Sequence, residues 1–458
     1  MNEDDPEVGA RRGASDLPAT RRAPAPRRAV RSDQTPPSGD DHAFDCDVVV
    51  VGGGPAGSAA AITLARAGRD VVLVDKATFP RDKCCGDGLT TGALRHLEAL
   101  GVRPDAVASW QPVTLTVIRS PSGRTVELPL PEGPGIGTFA AVARRADLDA
   151  ALLDLARAAG VKVHDGHAVT GSTVPAGERC VHLAVDGLGT VRARYVVAAD
   201  GMWSPLRKAL LGGAGEPDGY LGEWHAFRQY FRNGGDEAQR GLWVWFEEDL
   251  LPGYVWSFPL PDGRLNVGYG LQRGSKHAPE PLGKRMKQLW PDILARPHIR
   301  AVLGEHAVAE SPHKAWPIPA RIERTPLAAA GGRCLFVGDA ARATDPMTGE
   351  GIGQALESGV LAAHAVVAAG ALQPWLAQRR YEISIGRTLG LDNRVAGLLS
   401  THGVAHRKGI RIAVRLADTN DWTRRAFGRW LFEDEPRGAL LTPRRWHRRF
   451  LTRPGAYL

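Results

Sequence analysis

CDVVVVGGGPAGSAAAITLARAGRDVVLVDK, residues 46–76, is the stretch on which the reading of this chain turns. Residues 48–51 form a β-branched run suited to a strand buried on both faces, and it breaks at Gly52-Gly53-Gly54. An Ala-rich helical pattern starts at Pro55 and Ala56. Gly52, Gly54 and Gly57 have the G-x-G-x-x-G spacing. The first permits a tight turn, the second lets backbone approach a pyrophosphate, and the third lets helix pack closely on strand. The helix N-terminus adds unpaired N–H groups and a partial positive charge. A second strand, residues 71–74, ends at Asp75, where a ribose hydroxyl needs an acceptor, with Lys76 beside it. Strand, glycines, helix, strand and terminal acid in this order predict a dinucleotide-binding unit. A glycine-rich turn in an ordinary βαβ unit is the plainer alternative.

The 458 residues are enough for two or three domains, and the composition is that of a soluble globular protein. No uninterrupted apolar run has the length of a bilayer span. The best candidate, residues 359–377, carries His364 and a proline and reads as a buried or amphipathic helix. Cys46, Cys84, Cys85, Cys180 and Cys334 lack framework spacing, which fits a reduced, cytoplasmic setting better than a secreted one. The formal net charge of +8 is carried by the end of the chain, where residues 401–458 hold thirteen Arg and Lys against five Asp and Glu.

In chain order, residues 1–43 are rich in Pro, Ala, Arg and Asp and are expected to be disordered, with no apolar stretch of the signal-peptide kind. The nucleotide-binding fold is expected in three parts, 44–110, 141–215 and 326–372. A β insertion at 111–140 and a sheet domain at 216–325 separate them, and a basic helical region, 373–458, follows. Beyond Asp75, the segment Pro80-Arg81-Asp82-Lys83-Cys84-Cys85-Gly86-Asp87-Gly88 reads as a loop held close to something flat or charged. Taken alone, Cys84 and Cys85 are a pair of small buried hydrophobes, and no second Cys or His group stands at metal-ligand spacing. Two more buried strands end in Asp200-Gly201 and Gly338-Asp339. A glycine-rich loop, residues 345–353, then enters a long helix. Two such loops far apart in sequence fit one large cofactor gripped from both ends. In between, residues 253–259 alternate with period two, which places Tyr254, Trp256 and Phe258 on one face of a strand. Gly268 and Gly270 in the returning strand leave room beside those rings for an elongated apolar ligand; plain core packing is the alternative.

Together these segments resemble the flavoproteins built like para-hydroxybenzoate hydroxylase, which share an N-terminal G-x-G-x-x-G, a central Asp-Gly and a late Gly-Asp. The resemblance spans about residues 45–372. It implies an α/β architecture: a Rossmann-like FAD-binding domain, an inserted, mostly antiparallel β substrate domain and a C-terminal helical region. It implies FAD as cofactor, held at Gly52, Gly54, Pro55, Ala56, Gly57, Asp75 and Lys76. Further contacts would come from Arg81, Gly86, Arg144, Asp200, Gly201, Gly338 and Asp339. The loop with Pro346, Gly349, Gly351, Ile352 and Gly353 would sit near the isoalloxazine ring.

Within that group the chain is most similar to the geranylgeranyl reductase family, which saturates double bonds in polyprenyl chains. Cys85-Gly86 matches the family's Cys-Gly loop, and the Cys-Gly-Asp-Gly-Leu-Thr form resembles bacterial menaquinone side-chain reductases. Tyr254, Trp256, Phe258, Pro259, Gly268 and Gly270 match its substrate motif. Cys84 doubles the cysteine, so which thiol faces the flavin stays open. The implied chemistry is hydride from reduced flavin with protonation of the alkene by Cys85 or, as the alternative, Asp87. NADPH or an electron-donor protein would reduce the flavin. A flavin-dependent monooxygenase or halogenase is the rival, although Lys83, two residues before Cys85, matches the halogenase lysine poorly.

The basic end has its own pattern. Trp422, Phe427, Trp430 and Leu431 recur at helical spacing among Arg424, Arg425 and Arg429. Trp446, Phe450 and Leu451 repeat this among Arg444, Arg445, Arg448 and Arg449. Such a helix suits an anionic membrane surface, on the inner face of the cell membrane. The alternative is a helical subdomain whose aromatics pack inward. Interspersed acids argue against nucleic acid.

Overall fold

The computed structural model describes residues 45–212, 219–275, 282–432 and 451–458. The expected disordered tail, and Arg444, Arg445, Trp446, Arg448, Arg449 and Phe450, lie outside the described residues.

The βαβ unit forms as its pattern requires. Strand β1 (Cys46–Val51), helix α1 (Pro55–Arg66) and strand β2 (Val71–Asp75) follow one another, with Val48 level with Val71 in parallel register. Gly52 has φ +108°, and a Cβ there would stand 2.2 Å from the Ala199 carbonyl oxygen. A Cβ at Gly57 would stand 1.8 Å from Gly52 O, so α1 packs on the turn only because that side chain is absent. Gly189–Ala198 pairs parallel to β1 on its other side, Cys334–Phe336 lies beyond it, and Lys162–Asp165 pairs with β2. Of these five parallel strands, β1, β2, Cys334–Phe336 and the second half of Gly189–Ala198 are buried and read as apolar runs, whereas Lys162–Asp165 at the edge is partly exposed. Ala328–Ala329 closes one edge, and the strands Val169–Thr173 and Val181–Val185 extend the sheet from Gly189–Ala198.

Helix Ile352–Ala369 packs against α1, and a Cβ at Gly359 would stand 2.1 Å from Ala56 O. Among the described residues it is the one helix long and apolar enough to cross a membrane, and two thirds of it is buried inside the molecule. It belongs to the core. The helix stops at Gly370 (φ +66°), and a new one starts at Pro374.

A second sheet of eight strands lies beside the nucleotide-binding one. Trp224–Arg232, Arg264–Gln272, Tyr254–Leu260 and Leu242–Trp245 are successive antiparallel neighbours. Leu115–Arg119 and Thr125–Pro129, from the earlier insertion, complete the same sheet through a parallel pairing of Leu242 with Thr116. One face buries Trp245, Val255, Val267 and Tyr269 against Met286 and Trp290 of helix Leu282–Leu294. The opposite face carries Tyr254, Trp256 and Phe258, whose rings follow one another at centroid distances of 6.0 and 6.3 Å. Helices Pro374–Arg387, Leu389–Leu399, Arg407–Ala417 and Asp421–Leu431 finish the main body. Residues 451–458 return to the β insertion: Ala456 pairs with Thr138 and is fully buried.

Candidate active site

The C-terminal ends of β1, β2 and Gly189–Ala198 open onto a cavity of about 1000 Å³. Ligands bind at this end of parallel sheets because the loops there leave a crevice. Its floor is the turn Gly52–Gly54 with Pro55 and Ala56. Helix α1 begins at Gly54 with no side-chain cap and no acid in its first turn, so its terminal N–H groups are left for an anion. Above Gly54, the nearest atoms to an imagined Cβ are the guanidinium nitrogens of Arg81 and Arg145, at 3.6 and 3.8 Å. Asp149, fully buried, holds both guanidiniums: Arg145 donates two hydrogen bonds of 2.8 and 2.7 Å, and Arg81 lies 2.9 Å away. Two cations tied by one carboxylate leave a net positive charge over a helix N-terminus. A diphosphate fits that place.

At the end of β2, Asp75 accepts from Gly53 N–H (2.6 Å) and Ala77 N–H (2.8 Å), which fixes its carboxylate on the cavity wall next to Lys76. Asp200 and Gly201 line the wall too. Asp200 accepts from Ser204 Oγ and Leu206 N–H, and burial raises its pKa. Gly338, Asp339, Gly349, Gly351 and Ile352 form the opposite side. Asp339 lies 3.6 Å from Lys83, whose ammonium sits 4.3 Å over the Trp316 ring; burial lowers the lysine's pKa. Four of the residues expected to contact the cofactor lie off the wall. Gly57 and Gly353 serve helix packing, Pro346 accepts from Trp224 Nε1 (3.0 Å), and Arg144 places its guanidinium 4.6 Å over the Tyr230 ring. Arg144 is the cap before helix Arg145–Ala158, whereas Arg145, the first helical residue, turns toward the cavity.

The wall continues along Cys85, Gly86, Asp87 and Gly88 to the aromatic face of the second sheet. A Cβ at Gly86 or Gly88 would stand 3.5 or 3.2 Å from the Phe258 ring. Gly268 lies directly under Trp256, 2.4 Å from an imagined Cβ, so the room it leaves is filled by that indole. Gly270 stays open to the cavity, and Pro259 and Gly268 lie off its wall. Tyr254 donates to the Thr348 carbonyl and so joins the sheet to the glycine-rich loop.

Cys84 Sγ donates to Lys314 O (3.4 Å), and Cys85 Sγ accepts from Asp87 N–H (3.3 Å). Both thiols touch the cavity, and burial pushes them up to about 12 and about 11, so both carry their protons at neutral pH. Asp87 is fully enclosed at φ +64°. Its Oδ2 accepts from Tyr230 OH (2.6 Å) and Asn266 Nδ2 (2.7 Å), while Oδ1 has no partner. Burial raises its pKa to about 6, against the pull of Arg228. Tyr230, Asn266, Arg228 and Asp149 carried no motif, and only Arg145 and Asp149, four apart on a helix, left a spacing signal.

The far end of the cavity is apolar. Ile118, Leu242, Val244 and Phe246 of the sheet face Ile410, Val414, Phe427 and Trp430 of the C-terminal helices. Phe427, Trp430 and Leu431 therefore point inward, as wall, and of that predicted aromatic stripe Trp422 alone is strongly exposed, at 70%.

A family model described as "FAD binding domain" matches residues 45–369. The menaquinone reductase of Mycolicibacterium smegmatis is 34% identical over 392 residues, 81% of this chain and 90% of that protein. This chain belongs to the geranylgeranyl reductase family of FAD-dependent oxidoreductases. Digeranylgeranylglycerophospholipid reductase 1 of Methanopyrus kandleri is 34% identical over 343 residues, covering 71% of this chain and 81% of that one. A geranylgeranyl bacteriochlorophyll reductase-like protein from Thermoplasma acidophilum shares the fold. Its TM-score is 0.67 at 22% identity, covering 86% of this chain and 97% of that one. The geranylgeranyl reductase fold thus binds FAD, and the uncapped helix under two arginines is where this member suits the cofactor's diphosphate.

Proposed function

We propose that this enzyme saturates carbon–carbon double bonds of a polyprenyl chain, of the kind its relatives' names carry as menaquinone or digeranylgeranyl lipid. The observation that carries this reading is the shape of the cavity. One end is built for FAD, and from Cys85 onward it becomes an aromatic and aliphatic channel between the second sheet and the C-terminal helices. FAD, once reduced by NADPH or an electron-donor protein, supplies the hydride. Tyr254, Trp256 and Phe258 hold the chain in register, and the apolar helices exclude water. Cys85 holds a proton on Sγ at the channel wall; when that proton leaves, the Asp87 N–H already points at the sulfur. The monooxygenase or halogenase alternative draws on the shared fold alone. The test is mass spectrometry of a menaquinone with an unsaturated side chain after incubation with dithionite-reduced holoenzyme. Gain of two hydrogens per bond supports the reading. An oxygenated product in air, or an unchanged chain, overturns it.

We also propose that the protein works at an anionic membrane surface. The face involved differs from the sequence expectation, because Phe427 and Trp430 are internal. On helix Arg407–Ala417, Ile412 and Leu416 are 57% and 64% exposed and lie one turn apart, with Lys408, Arg411 and Arg415 around them. The inner side of this helix lines the channel through Ile410, Ala413 and Val414. A lipid-borne chain would thus have a short path from bilayer to channel.

A further inference from the structure

The loop that carries Cys85 is held from the second sheet by three side chains that no motif marks. Asn266, fully buried in strand Arg264–Gln272, donates to the Cys85 carbonyl (2.9 Å) and to Asp87 Oδ2 (2.7 Å). Its amide cannot be reversed, because Trp256 Nε1–H can only donate and stands 3.0 Å from Asn266 Oδ1. Tyr230 adds a second donor to Asp87 Oδ2. Arg228, also fully buried, stacks 4.0 Å from the Tyr230 ring centre and donates to Asp82 Oδ1 (2.7 Å) and Lys83 O (3.0 Å). The main chain of Asp87 then works in two directions: its carbonyl accepts from Ala143 N–H (3.0 Å), and its own N–H donates to Cys85 Sγ. With Oδ2 taken by two donors, the carboxylate is anchored beside the thiol. It fixes where the sulfur sits and what charge the sulfur faces.

We propose that Asn266, Tyr230 and Asp87 are positioning residues of the reaction: they lock the Cys85 loop to the aromatic wall and keep its thiol in the protonated, proton-giving form. The proposal rests on the reductase reading above. In the step served, the S–H bond of Cys85 breaks as a C–H bond forms at one alkene carbon, and hydride from reduced FAD reaches the other carbon. Solvent water then reprotonates the sulfur. The charged groups around the thiol are Asp87 and Glu350, which oppose its ionisation, and Arg145, which favours it; Arg228 faces Asp87 from the sheet. The indole that grips the chain and the residue whose thiol protonates it are two hydrogen bonds apart, with Asn266 between them, so substrate pressure on Trp256 reaches Cys85 through Asn266.

The test reads the thiol itself. In holoenzyme carrying Cys84→Ala, the rate of iodoacetamide alkylation at Cys85 is followed against pH by peptide mass spectrometry. The other three cysteines are buried. Asp87→Asn keeps the shape and removes the charge; it should shift the alkylation profile to lower pH and speed the reaction at pH 8 on the order of tenfold. Tyr230→Phe, the mildest change, should shift it the same way by less. Asn266→Leu should lower kcat in the menaquinone assay while KM stays near the unsubstituted value. A loop that is merely loosened would react faster with no change in the pH dependence, and that outcome overturns the proposal, as does an unchanged profile in Asp87→Asn. Thermal unfolding and flavin absorbance confirm that each variant is folded and loaded. Failure of the unsubstituted enzyme to reduce the menaquinone would overturn the substrate reading instead, and it leaves the alkylation result to judge the positioning claim by itself.

Discussion

Asp87 is charged at a cost. Its pKa in the folded protein is raised from 3.8 to about 6 by burial, so the folded state binds the proton more tightly than the unfolded chain does. The sign follows from linkage: no penalty below pH 4, a growing one as pH rises through the folded pKa, and the full one above it, about 3 kcal/mol at most. Thermal unfolding of Asp87→Asn against the unsubstituted protein should therefore show a more favourable difference at pH 8 than at pH 4. Equal differences at both pH values would mean that the carboxylate is not strained by burial. At the cofactor end, Gly54→Val would place carbon where the diphosphate fits, and Asp339→Leu would remove a wall carboxylate. Both should yield colourless protein, and stoichiometric flavin absorbance in either would contradict the assignment. Of the paired cysteines, Cys85→Ala should keep FAD and lose most saturation activity, with Cys84→Ala losing less. A dead Cys84→Ala would exchange their roles.

At the scale of elements, the parts easiest to read in the sequence were those with a strict period. The valine run of β1, the glycine spacing after it and the alternation around Trp256 each have one physical solution, and each formed within a residue or two of expectation. Arg144 shows the limit: one residue decides whether a side chain at a helix start faces the cavity or the sheet, and periodicity does not resolve one residue. The C-terminal aromatics show another. Phe427 and Trp430 make a stripe at helical spacing, which states that a helix has an apolar side without stating whether protein or lipid covers it. Here the cover is the second sheet, and the side proposed to meet lipid moves to the exposed Ile412 and Leu416. Ile412→Asp with Leu416→Asp should abolish co-sedimentation with anionic vesicles and leave flavin content unchanged. Binding by the unsubstituted protein should weaken with salt. Indifference to lipid charge would dismiss the membrane face.

For the whole molecule, the contacts that matter are long in sequence and were illegible for that reason. Asn266 reaches Cys85 across 181 positions and Tyr230 reaches Asp87 across 143, which no local pattern announces. Residues 451–458 close a longer span, 359 positions: Tyr457 N–H donates to Glu98 (2.8 Å), and the Tyr457 ring meets Trp110 edge-on at 5.6 Å. Deleting residues 451–458 should lower the thermal midpoint by several degrees, since these contacts tie the end of the chain to the first helix after the Cys85 loop. An unchanged midpoint would show the clasp to be decorative.

The channel's helical wall has a consequence for how such an enzyme diversifies. The stretch matched by the FAD-binding family ends at residue 369, and Ile410, Val414, Phe427 and Trp430 all lie beyond it. Under the proposed function, substitutions there would reshape one wall of the channel while the residues lining its FAD end stay the same. A chimaera joining residues 45–369 of this chain to the corresponding end of another family member would exchange the helical wall and keep the sheet wall, so any change in the chain it accepts would be owed to the new lining alone.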